Sequence, residues 1–96
     1  MRVVWSPTAR RQVFDAVELM REDWPNAALA WFDGLIARTT LLAELPAQGR
    51  VVAEWAEEEV REILYDPYRV VYELHEDRIE ILVLSHYRRQ FPSEKG

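Results

Sequence analysis

The apolar positions change their period along the chain, and each change marks an element. Residues 2–5 form a short apolar run, a first strand. Ser6-Pro7 then signals a helix start, since Ser caps free amides and Pro fits the first helical position. Ala9, Val13, Ala16, Val17, Met20 and Trp24 follow at three- and four-residue spacing, one buried helical face. Arg10, Arg11, Asp15, Glu18 and Glu22 fall largely on the other side. Trp24-Pro25-Asn26 breaks this helix and starts another. Ala28, Trp31, Phe32, Leu35, Ile36, Thr39 and Leu42 repeat the spacing to about Leu45. So short a link makes the two helices an antiparallel hairpin. Gly34 within the second helix costs about 1 kcal/mol against Ala, and either permits close helix–helix approach or lies exposed.

Pro46-Ala47-Gln48-Gly49 ends the helical half. Four strand-like segments follow: Val51 to Trp55, Val60 to Tyr65, Tyr68 to Leu74, and Ile79 to Leu84. Asp66-Pro67 and Glu76-Asp77 are the turns between the last three. The nearly continuous apolar run of the last strand predicts a central position covered on both faces. The expected fold is α+β, with an N-terminal strand and a helical hairpin packed on a mostly antiparallel sheet, in the order β-α-α-β-β-β with three or four strands after the helices. The first strand must join that sheet by pairing with a distant strand. One domain spans residues 1–96, with 88–96 as a loose polar tail.

Composition narrows the setting. Hydrophobic residues make up 49% of the chain, enough for a single packed core. There is no cysteine, which excludes disulfides and thiolate metal sites and favours a cytoplasmic protein. No stretch has the length of a signal peptide's apolar segment or of a membrane span. The net charge of −5 lies entirely in residues 51–96, since residues 1–50 carry six Arg against six acids. An acidic domain is a poor general nucleic-acid binder. The last twelve residues, however, hold Arg88, Arg89 and Lys95 against Glu94 and are basic.

Five pieces, in order, resemble the RelE/ParE toxin superfamily. They are Trp5-Ser6-Pro7-Thr8-Ala9, then Leu41 to Pro46 leading into Gly49-Arg50, then Val60-Arg61-Glu62. Tyr68-Arg69-Val70-Val71-Tyr72-Glu73 follows, and finally Ile79 to Leu84 with His86 and Arg88-Arg89. The resemblance covers nearly the whole chain, although no single piece is decisive. It implies the toxin of a bacterial type II toxin–antitoxin pair, held silent in a hetero-oligomer by a cognate antitoxin whose C-terminal segment wraps it. ParE-like members poison DNA gyrase and perform no chemistry. RelE-like members cut messenger RNA on the ribosome by metal-free attack of the 2′-hydroxyl on its own phosphate. That reaction needs a base, cations around the phosphate and an acid.

For cleavage, the chain offers His86 or Glu59 as base, Arg61 and Arg69 as phosphate clamp, and Tyr87 or His86 as acid. The set Arg69, His86 and Tyr87 resembles a RelE-type subgroup that uses Glu, Arg, His and Tyr. Against it, residues 44–62 contain no Lys, and Glu57 to Glu59 sit where positive charge would help. The expectation is therefore gyrase inhibition, with His86, Tyr87, Arg88 and Arg89 as the target surface and no catalytic residue. The alternatives are ribosome-dependent RNA cleavage, or an inactive member kept as an interaction module.

Plainer readings stand beside these. Arg61 and Arg69 can simply pair with Glu62, Glu73 or Glu80 across the sheet. His86 can merely end a strand, and His75 beside a turn is given no role. Two distant His make a poor metal site, so neither metal nor cofactor is expected. The four Trp read as core, with Trp55 alternatively an exposed anchor for a partner. No Gly-rich phosphate loop, nucleophile elbow or metalloprotease motif occurs.

Overall fold

The structure is a computed structural model and describes residues 1–93. The expected tail thus lies partly outside the described residues, Lys95 included. Its elements are β1 (Arg2–Trp5), α1 (Pro7–Asp23), α2 (Pro25–Thr40), a 3-10 turn (Leu41–Ala43), β2 (Arg50–Val51), β3 (Val60–Tyr65), β4 (Tyr68–Leu74) and β5 (Arg78–His86). The five strands form one sheet in the order β1-β5-β4-β3-β2. β1 pairs parallel to β5, its partner across the sequence, and the other pairs are antiparallel. The α+β architecture matches the expectation from the sequence.

The helices cover one sheet face. Ala9, Val13, Leu35 and Leu42 pack there on Ile63, Val70, Tyr72, Ile79, Ile81 and Leu84. The other face holds a smaller cluster of Val52, Val60, Val71 and Val83, closed over by Trp55, Leu82 and Phe91. β5 contributes to both clusters, which explains its unbroken apolar run.

The join between α1 and β5 sets the later geometry. The Ser6 hydroxyl accepts from the Ala9 amide at 3.0 Å as an N-cap and donates to the Leu82 carbonyl at 2.8 Å. The register between β4 and β5 slips between Val71 and Tyr72, which leaves Leu82 as the extra residue of a bulge. β1 has run out there, its last pair being Trp5 with Ile81. Polar groups of α1 take over: the Ser6 amide donates to Ile81, and the Gln12 side-chain oxygen accepts from the Leu84 amide at 2.7 Å. The C-terminal part of β5 is thus held by a helix on one side and by β4 on the other.

Four expectations change. The strand predicted over Val51 to Trp55 is only the Arg50–Val51 pair. Beyond it Trp55 and Ala56 amides fold back onto the Val52 carbonyl, which tucks Trp55 against Phe91. The second helix stops at Thr40 rather than near Leu45. The hydroxyls of Thr39 and Thr40 bond back to the carbonyls of Leu35 and Ile36 as the helix tightens into the 3-10 turn. Gly34 serves a helix–sheet approach, not a helix–helix one: the Tyr65 hydroxyl sits over it and donates to the Trp31 carbonyl at 2.8 Å. Finally Trp24 is not core but 66% exposed. Trp5, Trp31 and Trp55 do pack, each half-buried.

Candidate functional site

The outer sheet face, away from the helices, carries an ion network. Glu62 and Arg69 both project from it, Glu62 opposite Val71 and Arg69 opposite Leu64. The Glu62 side chain is 2% exposed and that of Arg69 15%. Arg69 donates from Nε to Glu62 Oε1 at 2.6 Å and from the terminal nitrogen NH2 to Glu62 Oε2 at 3.1 Å. Its two terminal nitrogens also form a fork on the carboxylate of Glu54, both contacts at 2.8 Å. Arg50 Nε donates to Glu62 Oε2 at 3.2 Å, and the Arg69 guanidinium lies 3.9 Å from the centre of the Phe91 ring. Arg69 is thereby held even more firmly protonated than usual, first by the bond to Glu54 and then by that to Glu62. The same bond from Arg69 pulls the Glu54 carboxyl down to about 2.

Arg61 is on the other face. It stands opposite Tyr72, whose ring belongs to the helix-side core. Its guanidinium donates to the carbonyls of Glu58 and Gly49, both at 3.2 Å. The two arginines expected to clamp a phosphate together therefore lie on opposite sides of the sheet. Glu59 is exposed in the loop before β3, where its carbonyl accepts from the Leu74 amide. The sheet does not bring it to His86, because Leu74 is at the far end of β4 from Tyr68, the partner of His86.

His86, Tyr87, Arg88 and Arg89 do share one end of the sheet. The His86 ring makes an edge contact with Tyr68 at 5.5 Å and stacks on Tyr87 at 5.5 Å. Its Nδ1 accepts from the Arg88 amide at 3.1 Å, so the ring also fixes the turn that follows β5. Tyr87 is exposed and lines the outer-face groove of about 750 Å³ with Arg50, Glu54, Glu62, Leu64 and Arg69. Arg89 lies on the helix side, in a depression with Gln12, Asp15, Leu19 and His86. Arg88 and Arg89 are exposed, and neither side chain has an ion pair among the described residues. The segment after them is tied down as far as Pro92, whose carbonyl accepts from Trp55 Nε1 at 3.0 Å, whereas a loose tail was expected from Arg88.

A second surface was missed in the sequence. Trp5, Arg10, Val13, Phe14, Val17, Leu29, Phe32 and Ile36 line an apolar groove along the helical hairpin. Phe14 is 64% and Leu29 63% exposed, and Leu19 and Trp24 add further apolar surface to the same hairpin. Several exposed large apolar groups gathered on one element mark a contact surface. The signal was present in the sequence: Phe14, Leu19 and Leu29 stand off the buried stripes of their helices, where a solvent-facing side should be polar.

Comparison with known proteins agrees with this geometry. The family model described as the ParE toxin of type II toxin–antitoxin system, parDE, matches residues 3–91. Among solved structures, a chain of the chromosomal ParDE TA system from P. aeruginosa superposes with a TM-score of 0.74. The two share 17% sequence identity over 90% of this chain and 95% of that one, a likeness of fold. A search of curated proteins found no match.

Proposed function

This chain belongs to the ParE toxin family of type II toxin–antitoxin systems, and on that premise we propose that it arrests growth by binding DNA gyrase and that a cognate antitoxin neutralises it. The observation that carries the choice of target is the separation and saturation of the arginines. Cleavage of RNA needs cations converging on one phosphate. Here Arg61 points to the helix side, while Arg69 spends its donors on Glu62 and Glu54. Inhibition by binding needs only a complementary surface. Tyr87, Arg88 and Arg89 supply one at the end of β5: an exposed aromatic ring and two exposed guanidinium groups that have no ion pair among the described residues. Aromatic and Arg side chains are the usual anchors of such contacts.

For the antitoxin, the hairpin groove offers the apolar seat. Phe14, Leu29 and Ile36 would be covered by a segment that folds on binding, burying a large area at once. The acidic second half of the chain would then meet basic residues of that segment. The test is induction of the toxin without antitoxin. A DNA damage response, filamentation and gyrase-dependent breaks support the reading. Ribosome-dependent messenger cleavage that disappears in His86→Ala overturns it in favour of a nuclease, and growth without defect overturns it in favour of an inactive interaction module.

A further inference from the structure

We propose that the β4–β5 hairpin carries a divalent transition-metal site, formed by Glu73, His75 and Glu80, with zinc as the best-fitting ion. Glu73 and Glu80 are direct cross-strand partners, so their side chains leave the sheet side by side on one face. Two carboxylates so placed can each turn one oxygen toward the same point above the sheet. His75 follows Glu73 by two residues, so its side chain leaves the same face, and its amide donates to the Arg78 carbonyl at 2.9 Å, closing the turn. The ring nitrogen Nε2 sits 3.5 Å from Glu73 Oε1 and 3.5 Å from Glu80 Oε1. It is shielded from solvent and has no hydrogen-bond partner. The three ligand atoms all lie within 4.8 Å of one another.

That spacing is informative. At 3.5 Å, the contacts are too long for good hydrogen bonds. They match the edge of a coordination tetrahedron: ligand atoms about 2.0–2.1 Å from zinc at tetrahedral angles stand roughly 3.3–3.5 Å apart. One imidazole with two carboxylates is a donor set for a first-row transition ion rather than calcium or magnesium, which take oxygen throughout. A fourth position is left to water. In the sequence His75 and His86 stand far apart and make a poor metal site, and His75 beside its turn has no evident role. It is the pairing of β4 with β5 that brings Glu80 to His75. The site is at the start of β5, while His86 ends the strand roughly 20 Å away at about 3.3 Å per residue. Metal would therefore pin the hairpin without touching the proposed target surface.

The test uses the untagged full chain, with cobalt(II) as spectroscopic probe and zinc in calorimetric titration. The expected result is one ion per chain, the strong visible absorption of four-coordinate cobalt, and displacement of cobalt by zinc. Thermal unfolding should shift up by about 5–10 °C at a free zinc concentration about ten times Kd. His75→Gln and Glu80→Gln, each checked by circular dichroism for a native fold, should each weaken zinc binding by at least about tenfold. His86→Gln should leave it unchanged. No binding by the wild-type chain, or binding that survives both hairpin variants, overturns the proposal.

Discussion

Replacing Arg69 with Ala tests whether this residue holds the sheet or works on a substrate. In the wild type, Arg69 makes four charged hydrogen bonds, two to Glu62 and two to Glu54. Glu62 is the vulnerable partner, because its side chain is 2% exposed and would keep only the 3.2 Å bond from Arg50. Stranding a buried charge costs about 3–5 kcal/mol, and the remaining Arg50 bond favours the lower end. Losing the cation–π contact with Phe91 adds about 0.5–1 kcal/mol. Against a total stability on the order of 5–15 kcal/mol, the variant should lose a large share of its margin, a fall in Tm of more than about 12 °C. Urea unfolding followed by circular dichroism reads this directly. The companion is the double variant Arg69→Met with Glu62→Met, which removes both charges at similar volume. Stability should return to within about 2 kcal/mol of wild type, and toxicity should return with it. A loss under about 1 kcal/mol in Arg69→Ala would refute the structural role. A double variant that is stable yet harmless would show that the guanidinium is needed for the poison itself.

Glu54→Gln should lower stability at pH 7 by about 1 kcal/mol, since Glu54 is 43% exposed and solvent screens its pair with Arg69. Because the folded carboxyl is drawn down to about 2, that contribution is full above the ordinary carboxylate range and is lost as pH falls from about 4.5 to about 2. Wild type and variant should therefore converge in urea midpoint near pH 2, and a gap unchanged by acid would contradict the pairing. Gly49→Ala should destabilise by more than about 2 kcal/mol, because a Cβ there would meet the Glu62 carbonyl oxygen at 2.5 Å and the Tyr72 hydroxyl at 2.6 Å. A Tm within about 2 °C of wild type would sink that reading. Association with the antitoxin should slow as salt rises, given eleven acids in residues 51–96. Stopped-flow rates independent of ionic strength would speak against an electrostatic approach.

Much of the fold is visible in the sequence because the periods are clean. Ser6-Pro7 opens a helix whose stripe Ala9, Val13 and Ala16 is buried as its spacing predicts, and the Val/Ile/Leu run of β5 signals cover on both faces. The sidedness of the arginines was also within reach. Asp66-Pro67 is a two-residue turn that pairs Tyr65 with Tyr68. Counting back by twos puts Arg61 on the face of Tyr68, and counting forward by one puts Arg69 on the opposite face. That parity separates two arginines whose residue type alone groups them as a phosphate clamp. What the sequence could not reveal is tertiary. Nothing local says that Glu54 swings under Arg69, or that Phe91 returns to stack on it. The short β2 was hidden because Val51 to Trp55 has strand composition while Trp55 is needed in the outer core. Likewise the groove beside Phe14 exists only once α1 and α2 lie side by side.

The most direct measurement adds the purified chain to DNA gyrase supercoiling a relaxed plasmid and follows product topology, with the Arg88→Ala, Arg89→Ala double variant alongside. The account predicts loss of supercoiling and trapped gyrase–DNA breaks with the wild type, relieved by the antitoxin and largely absent with a double variant that remains folded. Full supercoiling at saturating toxin, together with messenger cleaved on translating ribosomes, would contradict it.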